Sequence, residues 1–159
     1  MIPEVRYLCP SDADEYKRIR IEAARDPWFG TSVSLESKTP TSLLARALVA
    51  SAEGFIAGAF DGDELVGIVG FGLGPSGRSG TLFGLYVSAS HRRRGGGLAL
   101  VRFLLEAAGA SGIQAIELAV KRDNEGAISL YERLGFRVSS GGAGHDDAVG
   151  MTLRLPTSP

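Results

Sequence analysis

Three arginines and three glycines, Arg92 to Gly97, stand between an apolar run ending Leu85-Tyr86-Val87 and an apolar helical pattern that begins at Leu98. Gly95, Gly96 and Gly97 let the backbone approach an anion with no Cβ in the way. A helix starting there offers unpaired N–H groups and the positive end of its dipole. Arg92, Arg93 and Arg94 add charge-assisted donors. The chemistry this suits is phosphate or pyrophosphate binding. Two other phosphate turns are excluded by spacing, since no Gly-Lys-Ser/Thr follows and Leu100 occupies the third glycine of a G-x-G-x-x-G fingerprint. A second group lies downstream. Asn124, Ala127, Ile128, Tyr131 and Leu134 recur at spacings that share one helix face. A tyrosine hydroxyl on that face, beside a ligand cleft, can act as a general acid; taken alone, a tyrosine such as Tyr131 is more often a core aromatic with a satisfied hydroxyl.

The elements that must position these residues follow from periodicity. Glu4 to Leu8 reads as a first strand, and Ser11 with Asp14 as the capped start of a helix running to about Arg25, with Tyr16, Ile19 and Ala23 inward. Asp26-Pro27 ends it. Trp28 and Phe29 sit in an aromatic loop that can line a pocket or plug the core, the plug being the favoured reading. Pro40 opens a second helix through Ala50 with Leu43, Leu44, Ala47 and Leu48 inward. Phe55 to Phe60 and Leu65 to Leu73 flank Asp61-Gly62-Asp63 as a β-hairpin, and Thr81 to Val87 continues the meander. Leu98, Val101, Leu104, Leu105 and Ala108 then mark a helix stopped between Gly109 and Gly112. Ile113 to Val120 is a strand. A strand, helix and strand joined in this way make a right-handed crossover with parallel strands. A helix from Asn124 to Leu134 follows, and Phe136 to Ser139 with Val149 to Leu155 form a closing hairpin.

Read together, the two stretches resemble the GNAT superfamily of acetyl-CoA-dependent N-acetyltransferases. The resemblance is carried by Leu85-Tyr86-Val87, by Arg92-x-x-Gly95-x-Gly97-Leu98-Ala99-Leu100, and by Val120-x-x-x-Asn124-x-x-Ala127-Ile128-x-Leu130-Tyr131-Glu132-Arg133-Leu134-Gly135-Phe136. A fainter likeness, from Arg18 to Ser32, is to one branch of that family with mostly undefined substrates. The resemblance implies an α/β (α+β) fold, a single GNAT-like domain over residues 1–159. Its central mixed sheet would have about six to seven strands, splayed between the fourth and fifth, with about four flanking helices. It implies acetyl-CoA as cosubstrate, held along Leu85, Tyr86 and Val87, by the turn of Arg92, Arg93, Arg94, Gly95, Gly96, Gly97 and Leu98, and by Asn124 and Tyr131. It implies direct attack by a primary amine of a small molecule or peptide, with Tyr131 protonating the leaving thiolate. It leaves room for a homodimer.

The chain also departs from the family pattern. Members that carry a carboxylate on the fourth strand place it where Thr81 stands, so the proton of an incoming ammonium needs another acceptor. His145, Asp146, Asp147, Glu22 and Glu36 are the candidates, and an amine that arrives neutral needs none. Without that carboxylate, the second reading is a non-catalytic acyl-CoA binding or sensing module of the same fold. Ala89 and His91 replace a frequent proline and aromatic, which softens the turn.

Composition narrows the classes. A net charge of −1 does not describe a nucleic-acid binder, so the arginine cluster points to a small anion. No run approaches the ~20 apolar residues of a membrane span, and no leader pattern opens the chain, so the expected address is cytoplasmic, with no membrane partner. Cys9 is the one cysteine, expected as a lone buried thiol; no disulfide pair or cysteine-based metal site exists, and no metal is expected. Arg102, Arg133 and Arg137 could meet the adenosine 3′-phosphate of the implied cofactor, a solvated helix face being the commoner explanation, and Glu117 reads as surface with no role.

Overall fold

The computed structural model describes residues 3–139 and 147–156. Seven strands form one sheet: β1 (Glu4–Tyr7), β2 (Gly54–Asp61), β3 (Glu64–Leu73), β4 (Ser79–Val87), β5 (Ala115–Lys121), β6 (Arg137–Val138) and β7 (Ala148–Arg154). The helices are α1 (Ala13–Ala23), α2 (Val33–Lys38), α3 (Thr41–Ala47), α4 (Gly96–Ala110) and α5 (Glu125–Arg133). The strand order is β1-β2-β3-β4-β5-β7-β6, antiparallel throughout except for the parallel pair β4–β5. The predicted meander, crossover and closing hairpin are therefore all present.

Each helix buries the stripe its spacing dictates. In α1 the buried side chains are Ala13, Tyr16, Ile19 and Ala23, and in α4 Leu100, Val101, Leu104 and Ala108. The two stripes build separate cores on the two faces of the sheet. Leu100, Val101 and Leu104 pack with Phe71, Leu82, Ile116 and Tyr131 on one face; Tyr16, Ile19 and Leu48 pack with Ile68 and Tyr86 on the other.

Several expectations are corrected. Among the described residues five helices flank the sheet, where about four were expected. The additional one, α2, is six residues long and is capped by Ser32, whose hydroxyl accepts from the Leu35 N–H at 3.1 Å. Glu36 in that helix is 4% exposed and takes a bidentate ion pair from Arg20 at 2.7 and 3.0 Å. A pair reaching sixteen residues along the chain fixes α2, and local periodicity does not carry it. Leu43 and Ala47 face solvent because α3 rests on the core through Leu44, Ala45 and the following Leu48. Ser11 does not cap α1. Its place is taken by a 3-10 turn, Pro10–Asp12, in which the Asp12 carboxylate accepts the Cys9 N–H and is gripped by Arg6. The same turn leaves Cys9 exposed, with its Sγ 3.0 Å from the Ser11 hydroxyl.

The β4–β5 pair positions the site. Its parallel register holds for three residue pairs, Ser79↔Ala115, Gly80↔Ile116 and Thr81↔Glu117, and then stops, while both strands continue. On its other side β4 is bulged. Ile68 faces Tyr86 and Gly70 faces Phe83, so two residues of β4, Gly84 and Leu85, oppose Val69 alone. Gly84 sits at φ +63, in the left-handed region open to glycine at little cost. The bulge bends β4, which parts from β5 beyond Thr81, as the splay between the fourth and fifth strands requires.

Candidate active site

A cavity of about 710 Å³ opens where the strands part. Leu85, Tyr86 and Val87 of β4 form one wall, and Asn124, just before α5, with Gly126, Ala127 and Leu130 of α5 form the facing one. Arg92, Arg93, Gly95, Gly96, Gly97 and Leu98 close it at the start of α4. Ten of the twelve predicted ligand residues are thus brought together. Arg94 and Tyr131 do not line the cavity.

The turn into α4 is shaped for an anion. Arg93 at φ +62 and Gly95 at φ +83 both lie in the left-handed region. For arginine this costs about 1–2 kcal/mol, and such a residue persists only where its surroundings hold it. Alternation of left-handed residues with the helix start turns successive N–H groups to one side, as in an anion-binding nest. Among the described residues, the N–H groups from Arg93 to Leu98 have no backbone acceptor. A Cβ built at Gly96 or Gly97 meets protein atoms no nearer than 3.5 Å, so it is not the protein's own packing that demands glycine there.

Arg92 turns away from that nest. Its Nε donates to the Val87 carbonyl at 2.9 Å, its terminal nitrogen reaches Asp26 at 3.3 Å, and its guanidinium lies over the Tyr86 ring. Tyr86 in turn donates its hydroxyl to Glu22 at 2.8 Å and meets Phe29 edge-on. Burial, followed by the Glu22 contact, pushes the Tyr86 hydroxyl up to about 12. Asn124 caps α5, its side chain accepting the Ala127 N–H at 3.2 Å.

Tyr131 is 5% exposed and packs edge-on against Phe136 in the core beneath the cleft. Burial raises its pKa, so the hydroxyl keeps its proton at neutral pH. Among the described residues the hydroxyl has no hydrogen-bond partner, yet no fully enclosed side-chain oxygen is left unpartnered. Its oxygen therefore retains an opening.

The expected proton acceptors are placed differently. Glu36 is committed to Arg20 and Thr31, and the Arg20 hydrogen bonds hold its carboxyl below the usual range. Glu22 is held by Tyr86 and lies 3.6 Å from Arg18. Asp147 pairs with Lys121 at 2.6 Å; His145 and Asp146 lie outside the described residues. Glu117, read from the sequence as plain surface, stands beside Thr81 on the last rung before the strands part. It is exposed, between the buried Ile116 and Leu118, on the sheet face away from α4.

The loop after α1 also corrects the sequence reading. Trp28 and Phe29 both line the cavity; Trp28 is 44% exposed and plugs nothing, whereas Phe29 is half-buried and also packs against the core under α1. Its backbone N–H donates to Asp26 at 2.9 Å and its indole N–H to Asp123 at 3.0 Å. Arg133 likewise lines the cavity, whereas Arg102 and Arg137 are exposed outside it. No sequence signal pairs Trp28 with a residue 95 positions away. Arg133 was findable as the position two beyond Tyr131, on the flank of the same helix.

The Acetyltransferase (GNAT) family model matches residues 17–136. The chain belongs to the GNAT acetyltransferase family. Among curated relatives, the [ribosomal protein bS18]-alanine N-acetyltransferase of Salmonella typhimurium is 35% identical over 82 residues, 47% of this chain and 55% of the relative. The protein of that name from Escherichia coli (strain K12) is 34% identical over the same share. The chain thus spans about half the length of the curated relatives it matches. Solved GNAT structures share the fold. A GNAT acetyltransferase from Streptococcus pneumoniae superposes with a TM-score of 0.80 at 19% identity, over 96% of this chain and 99% of that one. The PaiA N-acetyltransferase of Thermoplasma acidophilum, solved with coenzyme A, gives 0.77 at 22% identity over 98% and 100%. Among the described residues, no cluster of His, Cys, Asp or Glu could hold a metal ion and no helix is long and apolar enough to cross a membrane.

Proposed function

We propose that this GNAT chain is an N-acetyltransferase that moves acetyl from acetyl-CoA to a primary amine of a small molecule or peptide, in the cytoplasm. The observation that carries the reading is the parting of β4 and β5 beyond Thr81 beside a turn whose N–H groups, Arg93 to Leu98, lack backbone acceptors. Acetyl-CoA fits these features: the nest suits its pyrophosphate, and the unpaired side of β4 from Leu82 to Val87 offers backbone groups to the amides of its pantetheine arm. When bound, it supplies a thioester carbonyl open to attack by an amine.

The chain's own residues then have separable tasks. Gly95, Gly96, Gly97 and Leu98 hold phosphate through backbone donors, with Arg93 and Arg94 supplying positive charge. Leu85 and Val87 fix the position of the reacting carbonyl, and a β4 N–H meets the charge that develops on its oxygen. Arg92 holds the end of β4 and the Asp26 loop rather than the phosphate. Tyr131 keeps its proton until a thiolate departs near the opening at its hydroxyl. Glu117, where the strands part, takes the proton released by the ammonium. Relatives named for a ribosomal-protein alanine direct the acceptor search to peptide α-amines as well as small molecules.

Calorimetric titration with acetyl-CoA should show saturable binding, and thiol release over a panel of amines should show turnover. No heat and no thermal shift at high ligand would overturn the proposal. Binding without turnover on any amine would favour the non-catalytic sensing module. Two observations support that second reading: the absence of a carboxylate at Thr81, and a Tyr131 set back from the cavity wall.

A further inference from the structure

A second cavity of about 620 Å³ lies beside the first, lined by Pro27, Trp28, Lys121, Arg122, Asp123 and Asp147. Among the described residues, Trp28 is the one that lines both. Its indole stands between the cleft walled by β4 and a polar basin on the β5 side. Three hydrogen-bonded contacts hold it there. Asp123 takes the indole N–H at 3.0 Å, Asp26 takes the backbone N–H at 2.9 Å, and Arg92 anchors Asp26 to the end of β4 at 3.3 Å. An exposed tryptophan is not held by burial, so its orientation depends on these bonds, and the indole bond spans the gap between the two sides of the cleft.

We propose that Trp28 is the specificity-determining partition of the acceptor side. Latched to Asp123, it closes the cleft against the second cavity. Compact primary amines then reach the thioester, while an amine carried on a longer chain must displace the indole to run into the basin of Lys121, Arg122 and Asp123. The proposal rests on reading the larger cavity as the acyl-donor cleft.

Trp28 is the only tryptophan of the chain, so its emission reports the latch directly. Acrylamide quenching of Asp123→Ala should rise at least twofold over the unsubstituted protein, with emission shifted to the red; identical spectra and quenching would overturn the latch. In a thiol-release assay, an amino-acid amide is compared with a hexapeptide amide of the same first residue. Trp28→Ala should raise the hexapeptide-to-monomer ratio of kcat/KM at least tenfold, chiefly through KM, and Trp28→Phe should fall between. An unchanged ratio in Trp28→Ala, with far-UV circular dichroism intact, overturns the partition. Acetyl-CoA calorimetry on the unsubstituted protein separates the two failures: loss of binding sinks the donor-cleft reading, whereas intact binding with an unchanged ratio sinks the partition alone. If no amine turns over, the quenching comparison decides.

Discussion

Replacing Gly84 by alanine should weaken the fold, against the usual direction for such a change. At a position with ordinary φ, glycine to alanine stabilises by about 0.4–1 kcal/mol because the unfolded chain loses freedom. Gly84 lies at φ +63, and a Cβ built there meets nothing within 4 Å. Steric contact therefore contributes nothing; the left-handed backbone costs an L-residue about 1–2 kcal/mol, and the unfolded-chain gain offsets part of it, leaving a net loss of about 1 kcal/mol. For a chain of this length that corresponds to a fall in Tm of roughly 2–4 °C. Gly84→Val should lose more, since a β-branched side chain tolerates the region less well. Urea denaturation gives the stability change, and acetyl-CoA calorimetry on the same samples shows whether the cleft survives. If the bulge is retained at this cost, affinity stays within a few-fold. If the strand straightens instead, the one-residue slip turns Leu85 and Tyr86 to opposite faces and binding is lost. A Gly84→Ala protein as stable as its parent would refute the claim that a left-handed residue sets the bend.

Tyr131→Phe should keep acetyl-CoA affinity while lowering kcat by about 10²-fold or more; an unchanged kcat under conditions where chemistry limits the rate would remove its assignment as the acid. Glu117→Gln should slow turnover by a similar factor, with the loss largest below the pKa of the amine, and equal rates across the pH profile would clear Glu117 of any role. Acid should unfold the protein through Asp12, held down to about 2 chiefly by the Arg6 hydrogen bond, and Glu36, held down by Arg20. Both are depressed in the folded state, so their contribution is present above the ordinary carboxylate range near pH 4 and fades as pH falls toward 2. Asp12→Asn should flatten that slope in urea denaturation between pH 5 and pH 2. Glu36→Gln, which strands Arg20 in a largely buried site, should destabilise by about 3 kcal/mol at neutral pH. A flat pH profile in the unsubstituted protein would contradict both assignments.

The parts of the molecule legible in the sequence are those fixed by local pattern. Leu98 to Ala108 repeats at helical spacing, Asp61-Gly62-Asp63 punctuates two apolar runs, and Asn124 precedes a helix that it does cap. The Gly-rich turn into α4 could be read for the same reason, since its glycines and the following helix are contiguous. What escaped depends on distant partners. Helix α2 exists because Arg20 reaches Glu36, and Trp28 belongs to the cleft because Asp123 accepts its indole. The place of Glu117 at the end of the β4–β5 pairing is invisible until register sets it beside Thr81. Gly84 sits inside a run that alternates like any strand, so the bulge emerges only when β3 is laid against β4. Arg92 reads as a phosphate ligand from its place in the motif, and the contacts of its side chain with Asp26 and the Val87 carbonyl depend on partners that the motif does not contain.

The three-pair junction between β4 and β5 also bears on how the chain folds. The meander from β2 to β4 joins neighbours in sequence through short turns, whereas the junction closes the whole span from Ser79 to Ala115. Closing that span costs about 3 kcal/mol of chain entropy, before any constant term, for three residue pairs of return. Pairing of this kind is slow, and it is held by the core under α4 more than by its own ladder. The strands before and after α4 thus meet in the sheet along one short seam, while a single core under α4 joins them. Opening that seam is the low-energy excursion to look for by native-state hydrogen exchange, at the amides of Gly80 to Val87 and Ile116 to Leu118.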